Sequence, residues 1–242
     1  MSFDTLAPYY RALEFVTAGR LLQRGRTAFL PEASRSRRAL LLGEGPGRFL
    51  VALLRTNANV EVTCVDASGR MIAQAVRAMA RHGLSPTRVR FEQADARAWT
   101  SHLAGFDLVA THFFLDCFGT EELEHLVARI SQVAASEATW LLTDFRLPPN
   151  GWRRWRGRLL LAVLYAFFRA FAGLSASRLT PPDAYLEALG FQLAGRRLAN
   201  FGFVQSDLWT RGGRAGHAAT MEARPGEVAT RRHKEHRSRQ LL

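Results

Sequence analysis

The sequence predicts an α/β fold, a doubly wound and largely parallel sheet with helices on both faces. From residue 39 onward, short and nearly continuous apolar runs alternate with amphipathic segments. Strands of this composition are buried on both sides, which is typical of parallel sheets. The first run leads into a glycine-rich turn, and the second ends in Asp66. In doubly wound sheets both places lie at the edge where ligands bind.

Five strands and three helices follow from the hydrophobic pattern of the central part of the chain. A run of four to eight apolar or β-branched residues predicts a strand, and apolar residues three or four apart predict a helix. The candidate strands cover residues 39–43, 60–65, 88–92, 106–111 and 138–144, and the helices between them cover 47–57, 69–82 and 120–134.

The N-terminal segment is predicted to be helical. Apolar residues recur at helical spacing over residues 6–30, and Pro31 ends the run. We interpret residues 1–38 as an N-terminal helical cap that precedes the main domain, residues 39–211.

After residue 150 the pattern changes. The segment "GWRRWRGRLLLAVLYAFFRAFAGL" is basic first and then apolar, but its uninterrupted apolar run, residues 159–168, has ten residues. That is well short of the ~20 residues that cross a bilayer. A buried or lid helix near 151–173 is the favoured interpretation, and a helix lying on a membrane surface is the alternative.

The last part of the main domain is predicted to hold a short helix and a hairpin. Thr180 marks the start of the helix and Gly190 its end, and two closing strands meet near Asn200. Residues 212–242 are rich in Gly, Arg, His and Glu, and we expect a basic, disordered tail there.

Composition indicates a globular enzyme and gives little reason for a nucleic-acid partner. The net charge is +12, but Lys234 is the one lysine among 33 basic residues. Such uniform arginine usage looks like a bias of the whole sequence, so part of the charge carries no information about partners. The two cysteines suggest reduced thiols, and the N-terminus lacks the layout of a secretory signal. We therefore expect a cytoplasmic protein.

The stretch "ALLLGEGPGRFL" contains three glycines, Gly43, Gly45 and Gly47. A dinucleotide fingerprint needs glycine at the sixth position, where Arg48 stands, and a phosphate-binding loop needs a Gly-Lys-Ser/Thr ending. Glu44 would repel pyrophosphate, but it suits a ligand with an ammonium or sulfonium charge. The methionine half of S-adenosylmethionine carries both charges.

Three further residues fall where such a cofactor needs them. Asp66 ends the second strand, 23 residues after Gly43, where a carboxylate can accept hydrogen bonds from ribose hydroxyls. Asp95 follows the third strand and can accept from the adenine amino group. Met71 lies one helical turn beyond Asp66, where it packs either against a purine ring or in the core between helix and sheet.

The segments "LLLGEGPGRFL", "VTCVDASGRMIAQA", "FEQADARAW" and "FDLVATHFFLDCF", in this order, resemble the class I S-adenosylmethionine-dependent methyltransferases, above all the ubiquinone/menaquinone-biosynthesis type. The resemblance implies a Rossmann-like, seven-stranded sheet with an antiparallel last strand. It implies an N-terminal segment with Tyr9 and Tyr10 folded over the cofactor. It also implies a set of cofactor-binding residues. With Glu44 and Met71 added from the residues themselves, the candidates are Gly43, Glu44, Gly45, Gly47, Asp66, Ala67, Met71, Asp95, Ala96 and Thr111.

The acceptor end is predicted at the carboxyl end of the fourth strand, in "ATHFFLDCF". His112 is the candidate general base, because its pKa is easily moved to the working range. The alternative is a histidine that lines the cofactor or packs with a hydrogen bond. Asp116, in an apolar run, must be paired, hydrated or functional, or must cap the helix near Gly119. Asp144 is a third acid at this edge, with Arg146 or an arginine of the lid helix as its expected partner.

The predicted function is methyl transfer from S-adenosylmethionine to a small, apolar or aromatic acceptor, through oxygen or carbon. The sequence has no Asp/Asn-Pro-Pro-aromatic tetrapeptide, which argues against amino-methylation of nucleic-acid bases, and no His/Cys cluster with metal-ligand spacing. An RNA or protein methyltransferase that uses the basic lid and tail, and a cofactor-binding module without catalysis, are the alternatives. Candidate pocket residues are Phe113, Phe114, Trp152, Trp155, Tyr165, Phe167 and Phe168.

Overall fold

The computed structural model describes residues 19–172 and 179–212 of the chain. The predicted tail beyond Gly212 and most of the predicted N-terminal cap, with Tyr9 and Tyr10, lie outside these residues. Seven strands are present: β1 (Arg38–Leu42), β2 (Glu61–Asp66), β3 (Val89–Gln93), β4 (Phe106–His112), β5 (Ala134–Phe145), β6 (Gln192–Ala199) and β7 (Val204–Arg211).

Six α-helices accompany the strands in the described residues. They are α1 (Gly19–Arg26), α2 (Arg48–Thr56), α3 (Gly69–Arg81), α4 (Thr120–Val133), α5 (Gly151–Ala172) and α6 (Asp183–Ala188).

All seven strands form one sheet in the order β3-β2-β1-β4-β5-β7-β6. The first five strands pair in parallel, whereas β7 runs antiparallel to both β5 and β6. Leu41 of β1 lies opposite Cys64 of β2 and Ala110 of β4. The predicted Rossmann-like sheet with an antiparallel last strand is confirmed. The strand order reverses between β1 and β4, since β2 and β3 follow β1 on one side and β5 follows β4 on the other. Ligands of doubly wound sheets bind at this switch point, at the carboxyl ends of β1 and β4.

Alternating residues of the central strands feed a separate core on each face of the sheet. Leu41 of β1 and Ala110 of β4 pack with α2 and α3 on one face. Leu42 of β1 and Val109 of β4 pack with α4 on the other. Because side chains along a strand alternate between the two faces, this assignment also shows on which face each residue at the end of a strand lies.

Three predicted boundaries differ from the structure. The helix predicted up to residue 30 ends at Arg26, and a 3₁₀ turn, Leu30–Ala33, follows. Strand β5 begins at Ala134 instead of 138, because its first residues are half-buried or exposed and show no apolar run. Helix α6 begins at Asp183, with Pro182 before it, while the Thr180 hydroxyl lies 3.1 Å from that of Thr120.

The glycine at the start of α2 offers a test of this packing. Gly47 has φ +83°, and a Cβ built on it would lie 2.8 Å from the Ala75 Cα in α3. Gly83 has φ +65°, but a Cβ there would meet nothing within 4 Å. We expect Gly83→Ala to cost about 1 kcal/mol of unfolding free energy, from backbone strain. Gly47→Ala adds the clash, so we expect at least about 2 kcal/mol more.

Urea unfolding of both variants measures the difference. Equal losses in the two variants would show that α2 and α3 separate easily at this contact.

Candidate functional site

The glycine turn between β1 and α2 adopts a conformation that few other residues tolerate. Gly43, Gly45 and Gly47 have φ values of +62°, +65° and +83°. A Cβ on Gly43 would lie 2.2 Å from the Phe114 ring, so the loop after β4 packs directly on this turn. A Cβ on Gly45 would meet nothing within 4 Å, so open space borders the backbone there. The middle glycine is therefore the one that a ligand can approach closely.

Asp66 fixes this turn to the end of β2. Its Oδ2 accepts a hydrogen bond from the Gly45 N–H at 2.9 Å, and its Oδ1 accepts from the Ser68 N–H at 2.9 Å. The Ser68 hydroxyl in turn accepts from the Met71 N–H at 3.2 Å, which caps α3. The carboxylate predicted to hold a ribose therefore also organises the two turns that surround the crevice.

Glu44 caps helix α2. Its Oε1 accepts hydrogen bonds from the N–H groups of Phe49 at 2.8 Å and Leu50 at 2.9 Å. Burial raises the pKa of Glu44 to about 7, against these two bonds and the nearby positive charge of Arg26. The cap is a structural role that the sequence analysis did not assign. The contact between Glu44 and a ligand ammonium stays a prediction. It would use the other carboxylate oxygen, Oε2.

The remaining cofactor candidates have different surroundings. Met71 is buried in the first turn of α3, and Ala67 is exposed beside Asp66. Ala96 is buried in the core beneath α4. The Thr111 hydroxyl is fully buried and accepts a hydrogen bond from the Trp140 indole N–H at 2.9 Å, and Thr111 pairs with Leu42 of β1 and Leu142 of β5.

Asp95 is engaged by an arginine that the sequence analysis missed. Arg97 Nη2 lies 2.6 Å from Asp95 Oδ2, and Arg97 Nε donates to both carboxylate oxygens at 3.0 Å. The side-chain hydrogen bond from Arg97 lowers the pKa of Asp95 below its usual range. The predicted hydrogen bond from adenine would have to share this carboxylate with Arg97. An Asp-x-Arg spacing is the signal that could have shown the pair.

His112 lies on the face of the sheet that packs with α2. Its ring meets Phe49 edge to face, with 4.5 Å between centroids, and neither ring nitrogen has a hydrogen-bond partner in the described structure. Burial, followed by the positive charge of Arg26, lowers the pKa of His112 to about 3. The imidazole is therefore neutral at physiological pH, and it is a weak base in this environment.

Asp116 and Asp144 lie together on the opposite face. The Phe114 N–H donates to Asp144 Oδ1 at 3.1 Å, and the Phe145 N–H donates to Asp116. Burial raises the pKa of Asp116 to about 6. Burial and the charge of Asp116 raise that of Asp144 well above its usual range. The Cys117 thiol, 3.6 Å away, donates to Asp116.

Asp144 does not pair with Arg146 or with the arginines at the start of the lid helix, residues 153–158. Asp116 and Asp144 have no ion pair with any residue in 19–162 or 179–212, and Asp116 does not cap the helix after Gly119. Two buried acids without a cation among these described residues favour a shared proton or a ligand that donates hydrogen bonds.

An aromatic group lies at the carboxyl ends of β4 and β5. Phe113 has φ +55°, and its ring lies 4.9 Å from Phe145, which lies 5.1 Å from Phe203. The guanidinium of Arg26, itself buried, lies 5.0 Å above the Phe113 ring. No sequence pattern predicts the position of Arg26, because none shows that the end of α1 reaches this site. The predicted pocket residues Trp152 and Trp155 lie elsewhere and are mostly exposed.

Comparison with known families assigns the part of the chain that carries this geometry. Residues 39–137, from β1 to the start of β5, match the family model described as "Methyltransferase domain". Residues 39–137 are a class I methyltransferase domain. The methyl donor of this domain is S-adenosylmethionine, as the glycine turn, Glu44 and Asp66 predicted. The likeness to the ubiquinone/menaquinone type stays a prediction.

Solved structures agree with this methyltransferase fold. The mitomycin 7-O-methyltransferase MmcR has a TM-score of 0.65 at 18% identity, over 88% of this chain and 61% of its own. The magnesium protoporphyrin IX methyltransferase of Synechocystis PCC 6803, with bound S-adenosylmethionine, has a TM-score of 0.56 at 16% identity. It covers 78% of this chain and 79% of its own.

The N-methyltransferase NodS of Bradyrhizobium japonicum, with S-adenosylhomocysteine, gives 0.58 at 14% identity, over 84% of this chain and 98% of its own. The chain spans about three fifths of the length of the first structures it matches. No curated protein matches it in sequence.

The crevice of the methyltransferase domain fits the methyl donor. Open space borders Gly45, where a closely approaching ligand needs it. Asp66 is half-buried beside that space, and two opposite charges, Glu44 and Arg26, lie near the turn. A donor with an ammonium and a carboxylate group matches both signs. Residues 19–172 and 179–212 contain no helix long and apolar enough to cross a bilayer.

Removal of the Asp66 carboxylate tests the role of the clamp. Asp66→Ala loses the bond to the Gly45 N–H and any bond to a ribose, so we expect a cofactor affinity about 10- to 100-fold lower. Asp107 is the matched control, because it also accepts backbone N–H groups, from Arg37 and Arg38, but at the opposite edge of the sheet. Calorimetry with S-adenosylmethionine measures both variants. Equal affinities in Asp66→Ala and Asp107→Ala would contradict the assignment.

The neutral state of His112 predicts a pH dependence of stability. The folded-state pKa, about 3, lies below the ordinary value of 6.5, so on acidification the unfolded chain takes up the proton first. This destabilises the folded state below pH 6.5, by about 2 kcal/mol at pH 5 relative to pH 7.5. His112→Leu removes this loss, and the exposed His125→Leu does not. Denaturation at several pH values measures it, and parallel curves for wild type and His112→Leu would refute the prediction.

Proposed function

We propose that the chain is an active S-adenosylmethionine-dependent methyltransferase that acts on a hydroxyl group or an acidic carbon of a small, largely apolar molecule. One observation carries the proposal: the buried pair Asp116 and Asp144, without a cationic partner among residues 19–162 and 179–212, beside the loop that packs on the glycine turn. Solved structures of similar fold include O-methyltransferases, which is consistent with an oxygen acceptor.

The proposed acceptor is small and apolar because Phe145, whose backbone N–H donates to Asp116, belongs to an aromatic group. Phe113, Phe145 and Phe203 form a continuous aromatic group at the carboxyl end of β5. Leu22 and Leu161 pack on the same group from α1 and α5. Burial of apolar acceptor surface against such a lining is favourable. Only a few polar groups then remain to recognise the polar part of the acceptor.

The residues of this chain divide the work in the proposal. When bound, S-adenosylmethionine supplies a methyl group on a positively charged sulfur. Gly45 and Asp66 would hold the donor, with Arg26 toward its carboxylate and Glu44 toward its ammonium. Asp116 accepts the proton of the acceptor hydroxyl, since a carboxyl pKa near 6 leaves an ionised base at neutral pH. Asp144 keeps a proton and orients Asp116.

His112 has a different place in the proposal. Its ring is on the face of α2, and its low pKa makes it a poor proton acceptor. It lines the donor side of the crevice as a neutral imidazole. Substitution of Asp116 and of His112 distinguishes the two candidate bases.

A methyl-labelled donor tests the function directly. The purified chain, incubated with labelled S-adenosylmethionine and a small-molecule extract, is expected to transfer label to an organic-soluble compound. Label in RNA or protein fractions alone would contradict the proposed substrate class. Cofactor binding without transfer to any fraction would indicate a binding module.

The same assay compares the two candidate bases. Asp116→Asn keeps the size of the side chain and an acceptor oxygen for the Phe145 N–H, yet it cannot take a proton. We expect kcat to fall about 100-fold or more, with unchanged donor affinity. His112→Gln is expected to change kcat only a few-fold. Wild-type activity should rise with pH through about 6, as Asp116 ionises; the reverse ranking of the two variants would overturn the assignment.

A further inference from the structure

One surface of the chain presents aromatic and basic side chains that the proposed chemistry does not use. Trp152 and Trp155 on α5 are 61% and 70% exposed, and Leu159 and Phe201 are each 52% exposed. The three residues of α5 are spaced three and four apart and therefore share one helix face. Arginines lie between and beside them. We call the following set the α5 platform: Trp152, Arg153, Trp155, Arg158, Leu159 and Phe201.

Direct contacts hold the platform in a fixed arrangement. The rings of Trp152 and Phe201 lie 5.6 Å apart between centroids. The guanidinium groups of Arg153 and Arg156 lie 5.8 Å and 5.7 Å from the Phe201 ring. Arg156 Nη1 also donates to Asn200 Oδ1 at 3.2 Å. The start of α5 and the β6–β7 turn are thus one structural unit.

The turn that carries Phe201 is strained. Asn200 and Phe201 have φ values of +52° and +57°, and neither is glycine. A left-handed conformation costs a residue with a side chain roughly 1–2 kcal/mol. Here two consecutive residues adopt it, and the result is an aromatic ring that faces solvent. Burial of that ring against a partner would offset the cost.

The inner side of α5 packs against the rest of the domain. A Cβ on Gly157 would lie 3.2 Å from Pro148, so the helix packs closely there, and Leu161 is buried with Phe203. The platform is therefore the outer face of a helix whose inner face is anchored to the sheet.

We propose that the α5 platform docks the protein on the surface of an anionic lipid bilayer, with α5 lying in the plane of the headgroups. Tryptophan favours the headgroup level of a bilayer, because its ring is apolar and its N–H is polar. Arginines near the surface attract anionic lipids, and α5 contains no acidic residue to oppose them. Leu159, between these groups, reaches the acyl boundary. An RNA strand would use the arginines and rings but leave Leu159 in water.

Vesicle binding of the full chain tests the proposal. Wild-type protein is expected to sediment with vesicles that contain about one third phosphatidylglycerol, and weakly with phosphatidylcholine alone. Trp152→Ala with Trp155→Ala should lower the partition coefficient about tenfold or more, with no change in charge. Val76→Ala with Leu103→Ala, at two apolar residues exposed by 42% and 41%, is the matched control and should change nothing.

Charge reversal provides a second arm. Arg153→Glu with Arg158→Glu should weaken binding to the anionic vesicles on the order of 30-fold. Arg77→Glu with Arg81→Glu makes the same change of charge on α3 and should weaken it far less. Because the C-terminal residues are identical in both variants, their charge cannot account for a difference.

The tryptophans also report the contact. The other three, Trp99, Trp140 and Trp209, are at most 7% exposed, so a blue shift of the emission on vesicle binding arises at the platform. Brominated lipids should quench the wild type strongly. Vesicle binding that is equal in wild type and both platform variants would overturn the proposal. So would RNA binding, or self-association in sedimentation, that depends on the platform in place of vesicle binding.

Discussion

Two carboxylates hold the turn between β1 and α2, and the site depends on them. Asp66 binds the backbone N–H of Gly45, and Glu44 binds the first free N–H groups of α2. These bonds hold a left-handed backbone that would otherwise be one of many conformations open to glycine. A ligand therefore meets a surface that is organised before binding. Because Glu44 has a pKa near 7, a cationic ligand beside it would favour the ionised form and strengthen the helix cap at the same time.

The sequence predicted the parallel part of the sheet well for a physical reason. Strands β1, β2 and β4 lie inside the sheet, so burial on both faces leaves continuous apolar runs. The start of β5 was missed, because residues 134–137 are half-buried or exposed and carry no such run. Contacts between distant segments leave no periodic signal at all. The Phe114 ring over Gly43, 71 positions apart, and the reach of Arg26 to the site belong to this class.

The acceptor end shows how neighbours in sequence separate in space. His112 ends β4 on the face of Leu108 and Ala110, and it meets Phe49 of α2. The chain then turns at Phe113, whose positive φ reverses its course, so Asp116 arrives on the other face beside Asp144. A pattern of residues could nominate all three groups, but only the turn decides which of them share an environment. The pKa values follow from that separation. Burial lowers the pKa of His112 and raises those of Asp116 and Asp144, and the charge of Asp116 raises the pKa of Asp144 further.

Net charge alone does not identify a partner of this chain. Arginines occur throughout the sequence, so their number does not single out a surface. The combination of arginine with exposed tryptophan on one helix face does single out a surface. Exposed aromatic rings are unfavourable in water, and neighbouring charges do not offset that cost. The platform is close to the crevice as well: Phe203, next to its Phe201 turn, closes the aromatic group around Phe113 and packs with Leu161 of α5. An apolar acceptor dissolved in a bilayer would thus lie one helix away from the buried acids, on the side where the chain is already apolar.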